Sequence, residues 1–145
     1  MLSSLLLGLL MAAPLTLQGP GRPAQVHTLD DARWNHRVLL VFPSEDRHAW
    51  AEQQRLVDEA RDALESRDIL VVMVGDTQAP VRLPDAAAAR ARWKVGAHEG
   101  AAVLVGKDGG EKWRAPLPAP LAPVFSLVDR MPMRQEELRE QSLKP

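Results

Sequence analysis

"RVLLVFPSEDRHAWAEQQ", residues 37–54, is the stretch on which the fold turns. Arg37 to Phe42 is a short, continuous apolar run of the kind that forms a strand covered on both faces. A polar turn follows, and then a helical period sets in. Trp50, Val57, Ala60 and Leu64 recur at three- and four-residue steps, with Leu56 and Ala63 widening the stripe, so one helix is predicted over Ala49 to Arg67. The other face carries Glu52, Arg55, Asp58, Glu59, Arg61, Asp62 and Glu65. Arg55 with Glu59 and Arg61 with Glu65 are helix-surface neighbours, each worth about 0.3 kcal/mol. "ILVVMVG" (residues 69–75) is a second apolar strand. Strand, helix, strand with these runs implies a right-handed βαβ unit with its two strands parallel.

The rest of the sequence extends that unit. "QAPVRLP" (78–84) breaks the path, and "DAAAARARW" (85–93) reads as a short helix ended by Gly96. "AAVLVGKDGGEKWRA" (101–115) reads as a hairpin whose Asp-Gly-Gly turn supplies the positive φ angles a tight reversal needs. Alternation in its second strand puts Glu111, Trp113 and Ala115 on one face and Lys112 and Arg114 on the other. The proline-rich "APLPAPLAP" (115–123) is a rigid entry to a helix, or a polyproline recognition segment. Val124, Leu127, Val128 and Met131 form the stripe of that helix. Pro132 interrupts it, and "MRQEELREQ" (133–141) resumes as a charged final turn or two.

At 145 residues the protein has the length of one domain, large enough to bury a core without disulfides. A net charge of -1 gives no global field for nucleic acid or an anionic membrane. "MLSSLLLGLLMAAPLTLQGPGRPAQ" reads as a secretory signal and processing region over residues 1–24, followed by one domain over 25–145. Its apolar part, Leu5 to Ala13, is too short for a stable span, and Ala13 and Ala24 are the cleavage candidates. No basic residue precedes it, so a retained membrane anchor or a misassigned start codon is the competing reading. A periplasmic or secreted protein with no membrane contact after processing is expected. Export sharpens the composition: there is no cysteine, hence no disulfide staple, no nucleophilic thiol and no lipid attachment at the mature end.

The order strand, helix, strand, helix, hairpin, helix resembles that of thioredoxin-like proteins, as does "VGAHEGAAVLVGKDGGEK" before and through the hairpin. "RWNHRVLLVFPSEDRHAWAEQQ", "VLVGKDGGEKWR" and "LVDRMPMRQEELR" together resemble the P-DUDES family, a peroxiredoxin-like domain of unknown function, over residues 26–140. The resemblance implies a thioredoxin-like, three-layer α/β/α fold around a mixed sheet. It brings no settled activity.

Thioredoxin-type chemistry needs a thiolate at a helix N-terminus, where the dipole and free N–H groups favour the anion. Ser44, Glu45, Asp46, Arg47 and His48 occupy that place here. A serine hydroxyl stays protonated at neutral pH, and the facing cis-proline that the resemblance implies would fall at Gly100 or Ala101, neither of which is proline. The plain reading is that Ser44 or Asp46 caps the helix, worth about 1 kcal/mol. His27, His36, His48 and His98 lack the spacing that puts two metal ligands on one helix face, so no metal or other cofactor is expected. Neither a Gly-x-Ser-x-Gly elbow nor a phosphate loop is present.

Three further features stand out. Gln53 sits on or beside the apolar stripe, with a bond to the preceding loop as its plain role. Trp34, Trp50, Trp93 and Trp113 are core or half-buried, or one of them anchors a partner. Met131, Met133 and Arg134 flank Pro132, either as packing beside a kink or as a docking surface. No catalytic residue is assigned. The expected binding set is Ser44, Asp46, Arg47, His48, Gln53 and Arg134, and the expected ligand is a protein or small molecule of unknown identity, not nucleic acid. An enzyme of a non-thiol class, with His48 as acid or base beside Asp46 or Glu45, is the alternative.

Overall fold

The computed structural model describes residues 28–83 and 85–144; the predicted signal region and His27 lie outside them. Four strands form one mixed sheet in the order β2-β1-β3-β4. β1 (Arg37–Phe42) is central and all six of its residues are buried. It runs parallel to β2 (Ile69–Met73) and antiparallel to β3 (Ala101–Val105), which pairs antiparallel with β4 (Glu111–Pro116). The predicted parallel βαβ unit and hairpin are both present, and the class is α/β.

Strand alternation divides the apolar residues between two faces. Val38, Leu40 and Phe42 pack with Val72, Val103 and Val105 against α1 (Leu29–Ala32) and α4 (Ala86–Trp93). Leu39, Val41, Ala102 and Leu104 pack against α2 (Arg47–Glu59), α3 (Arg61–Glu65) and α5 (Ala122–Asp129). Helices therefore cover both faces, which is why the β1 run needs no polar alternation. Each fully buried Leu or Val contributes about 1.5–3 kcal/mol.

Several local expectations change. The single helix over 49–67 is two, because Ala60 (φ -96°, ψ 12°) leaves helical geometry and its N–H splits between Leu56 O and Val57 O. Trp50, Val57, Ala60 and Leu64 still face the sheet. Arg61 pairs with Asp58 across this break, at 3.0 Å, rather than with Glu65. Arg55 does reach Glu59. α4 ends at Lys94 in the left-handed region (φ 54°), two residues before Gly96.

A register shift between Leu104 and Val105 breaks the alternation of β4. Glu111 then bonds Arg114, at 2.7 and 2.8 Å, instead of sharing a face with Trp113. The charged tail after Pro132 is a full helix, α6 (Pro132–Leu143), with the proline at its first turn where no N–H is needed. Trp93 is buried, Trp50 and Trp113 are half-buried, and Trp34 stands 60% exposed at φ 68°.

Candidate functional site

The junction of β1 and α2 lies at the C-terminal end of the central strand. Asp46 caps α2: its Oδ1 accepts from the N–H groups of His48 (2.9 Å) and Ala49 (3.2 Å). Ser44 Oγ accepts from the N–H of Asp46 at 3.1 Å and so closes the turn before the cap. Its Cβ also presses on Gly100, where an added methyl would come within 2.5 Å. Glu45 meets His98 Nδ1 at 2.6 Å on the surface. Arg47 and His48 point outward from the first turn, and no hydrogen bond joins the His48 ring to Asp46 or Glu45.

Arg90 holds this junction from outside it, and the sequence reading does not single it out. Its guanidinium donates to Pro43 O (2.8 Å), Gly96 O (2.6 Å) and Glu99 O (2.7 Å) and lies 5.5 Å from the Phe42 ring centre. Because three of its partners are backbone carbonyls, no pairing pattern in the sequence could reveal it. Gln53 is fully buried about two turns into α2. Its Oε1 accepts from the N–H of Ala119 at 2.6 Å, so it ties the loop after β4 and not, as expected, the loop before α2. Ala119 follows a rigid Pro-rich path whose N–H has no strand partner, and a buried amide meets that need.

Arg134 is not part of this junction. It lies near Arg37 at the opposite end of β1, about 20 Å away for a six-residue strand. There it donates to Glu137 at 3.3 Å. The expected binding residues thus fall into three places: Ser44, Asp46, Arg47 and His48 at the junction, Gln53 in the core, and Arg134 at the far end. Among the described residues no three His, Asp or Glu side chains converge as a metal site would require.

The family Domain of unknown function (DUF4174) matches residues 28–137, three quarters of the sequence and every residue of both ends described above. The protein belongs to this family. No curated protein matches it.

The far end of this DUF4174 domain is a charge network centred on Glu137. Arg37, only 1% exposed, grips the Glu137 carboxylate with two nitrogens, at 3.0 and 3.3 Å. Lys107 reaches the same carboxylate at 2.7 Å and Asp68 at 3.0 Å. Arg67 forks onto Asp129 at 2.8 and 2.9 Å. Burial pushes the Glu137 carboxyl up, but hydrogen bonds and charge from Arg37 and Lys107 outweigh it and hold the group below its ordinary 4.5. The hydrogen bonds from Arg67 likewise hold Asp129 below its ordinary 3.8. Sequence reasoning marks Arg134 but misses Arg37, Lys107 and Glu137. A lone Arg opening an apolar run is the one signal available, since a buried cation there must have a partner.

Proposed function

We propose that this DUF4174 domain is an exported, thioredoxin-like module that works by binding a protein partner and not by catalysis. The succession β1-α2-β2-α4-β3-β4-α5, with α2 opening directly after the central strand, supports the thioredoxin-like reading. One observation carries the functional half. Where such folds place their reactive sulfur, the polar side chains are spent on the backbone: Ser44 closes the turn and Asp46 caps the helix. With no cysteine in the sequence, thiol exchange has no atom to act through.

The groups left facing outward are Arg47, His48 and the Glu45–His98 pair, on a backbone held by the cap and by Arg90. Polar groups carried on a fixed backbone suit recognition. The apolar run Leu5 to Ala13 supports export. The alternative role of His48 as acid or base needs a carboxylate to orient its ring; Asp46 is turned to the backbone and Glu45 to His98.

A crosslinking pull-down from the native periplasm tests this reading, comparing the natural protein with an Arg47→Ala, His48→Ala double variant that keeps the Asp46 cap. The expected result is a specific partner captured by the natural protein and lost by the variant. Identical captures by both would strip the junction of this role.

A further inference from the structure

At the far end of the sheet, between the β3–β4 turn and the start of α6, lies a cavity of about 380 Å³, within the roughly 300–1,000 Å³ range of small-molecule sites. One wall is apolar, made by Leu127, Met131 and Met133, and the other is charged, made by Arg37, Lys107 and the Lys112–Asp108 pair. We infer that this cavity is a second binding site, independent of the junction, for a small carboxylate carrying an apolar tail.

Four observations support the inference. First, the ion pairs at this end of the sheet, which reach the cavity through Arg37, Lys107 and the Lys112–Asp108 pair, do not balance. Arg37, Arg67, Lys107, Lys112 and Arg134 face Asp68, Asp108, Asp129 and Glu137, an excess of one positive charge. One monoanion completes the set. Second, Arg37 lines the cavity while 1% exposed, and its buried Nε–H has no acceptor among the described residues. A buried donor left unpaired is costly, and the rest of this guanidinium is already taken by Glu137 and Arg67 O.

Third, α6 opens at the cavity with Met131 at the N-cap position, where no side chain accepts from the first turn. The N–H groups of Met133 and Arg134 have no partner inside the helix, and the positive end of the helix dipole faces the same space. Fourth, Gly106 makes room for Lys112. A Cβ there would meet Lys112 Cε at 2.6 Å, so the missing side chain lets the lysine stem lie along the turn and put its ammonium at the rim beside Asp108. The carboxylate belongs against the charged wall, with its tail along the two methionines, whose unbranched side chains adapt to varied shapes.

Isothermal titration of the full-length protein at low ionic strength tests the site with octanoate, octanol, and the peptide acetyl-Leu-Leu as free acid and as amide. Octanoate or the free-acid peptide, or both, is expected to bind one-to-one at least tenfold more tightly than its uncharged counterpart. Binding of octanoate alone identifies a fatty-acid-like ligand; binding of the peptide acid alone identifies the C-terminus of a polypeptide. Lys112→Gln, which leaves Asp108 facing the ligand, is expected to weaken binding about tenfold. Met133→Glu is expected to abolish it. Both positions are partly exposed, so the variants retain the fold. The site is refuted if charged and uncharged probes bind alike, if neither acid binds, or if both variants bind as the natural protein does.

Discussion

Ser44 and Gly100 show how tightly single residues fix the junction. The turn before α2 closes because Ser44 can lie flat against a residue with no side chain. Gly100→Ala is therefore expected to lower stability by about 2 kcal/mol, as overpacking of a close contact does. In a Ser44→Gly background the clashing Cβ is gone, and the cost of Gly100→Ala should fall by more than half. Denaturant midpoints of the four proteins give this coupling directly; equal costs in both backgrounds would mean that the contact carries no strain. Some of this detail is legible in the sequence. A short acid just before a helical period reads as a cap, and Asp46 is one. The contact of Ser44 with Gly100 is not legible, because it joins residues far apart in sequence. Arg90 is hidden for the same reason: its acceptors are carbonyls made available by the fold, not by any pattern of side chains.

Among the elements, α6 depends most on what the rest of the protein presents to it. Its charged composition reads as a solvated tail, yet Glu137 turns inward to meet Arg37 and Lys107, with Arg134 buried beside it on the same carboxylate. A mixed-charge helix gives no warning of this, because the buried partners come from β1 and the β3–β4 turn. Breaking a buried ion pair from one side leaves the other charge unmet, so Glu137→Gln should cost about 3 kcal/mol. The pH dependence follows from the depressed carboxyl of Glu137. Its stabilisation is complete above the ordinary value of 4.5 and is lost as pH falls below that through the lower folded value. Urea titrations from pH 6 down to about pH 3 should show a steep loss of stability in the natural protein and a shallower one in Glu137→Gln. Parallel curves would contradict the role given to this carboxylate. The strands are easier to read. β1 and β2 are continuous apolar runs and pair as expected, whereas the shift in β4 and the break at Ala60 arise from geometry that residue pattern does not encode.

Taken as a whole, the molecule has two ends with different characters. At one end of β1 the backbone consumes its polar side chains and leaves a polar surface on a fixed backbone; at the other, an ion-pair network with one more cation than carboxylates borders an apolar wall. The α/β class is legible because short apolar strands alternating with helices admit few other arrangements. The far end is not, since only folding gathers Arg37, Lys107 and Glu137. Family membership adds no reaction to this picture, so the claim that the domain binds and does not react must be tested on the protein itself. The direct measurement is the rate of peroxide consumption and of insulin disulfide reduction, with a dithiol present, with and without the full-length protein. Identical rates with and without it are expected. Catalysed turnover of either substrate, above all turnover that disappears in His48→Gln, would contradict the binding role.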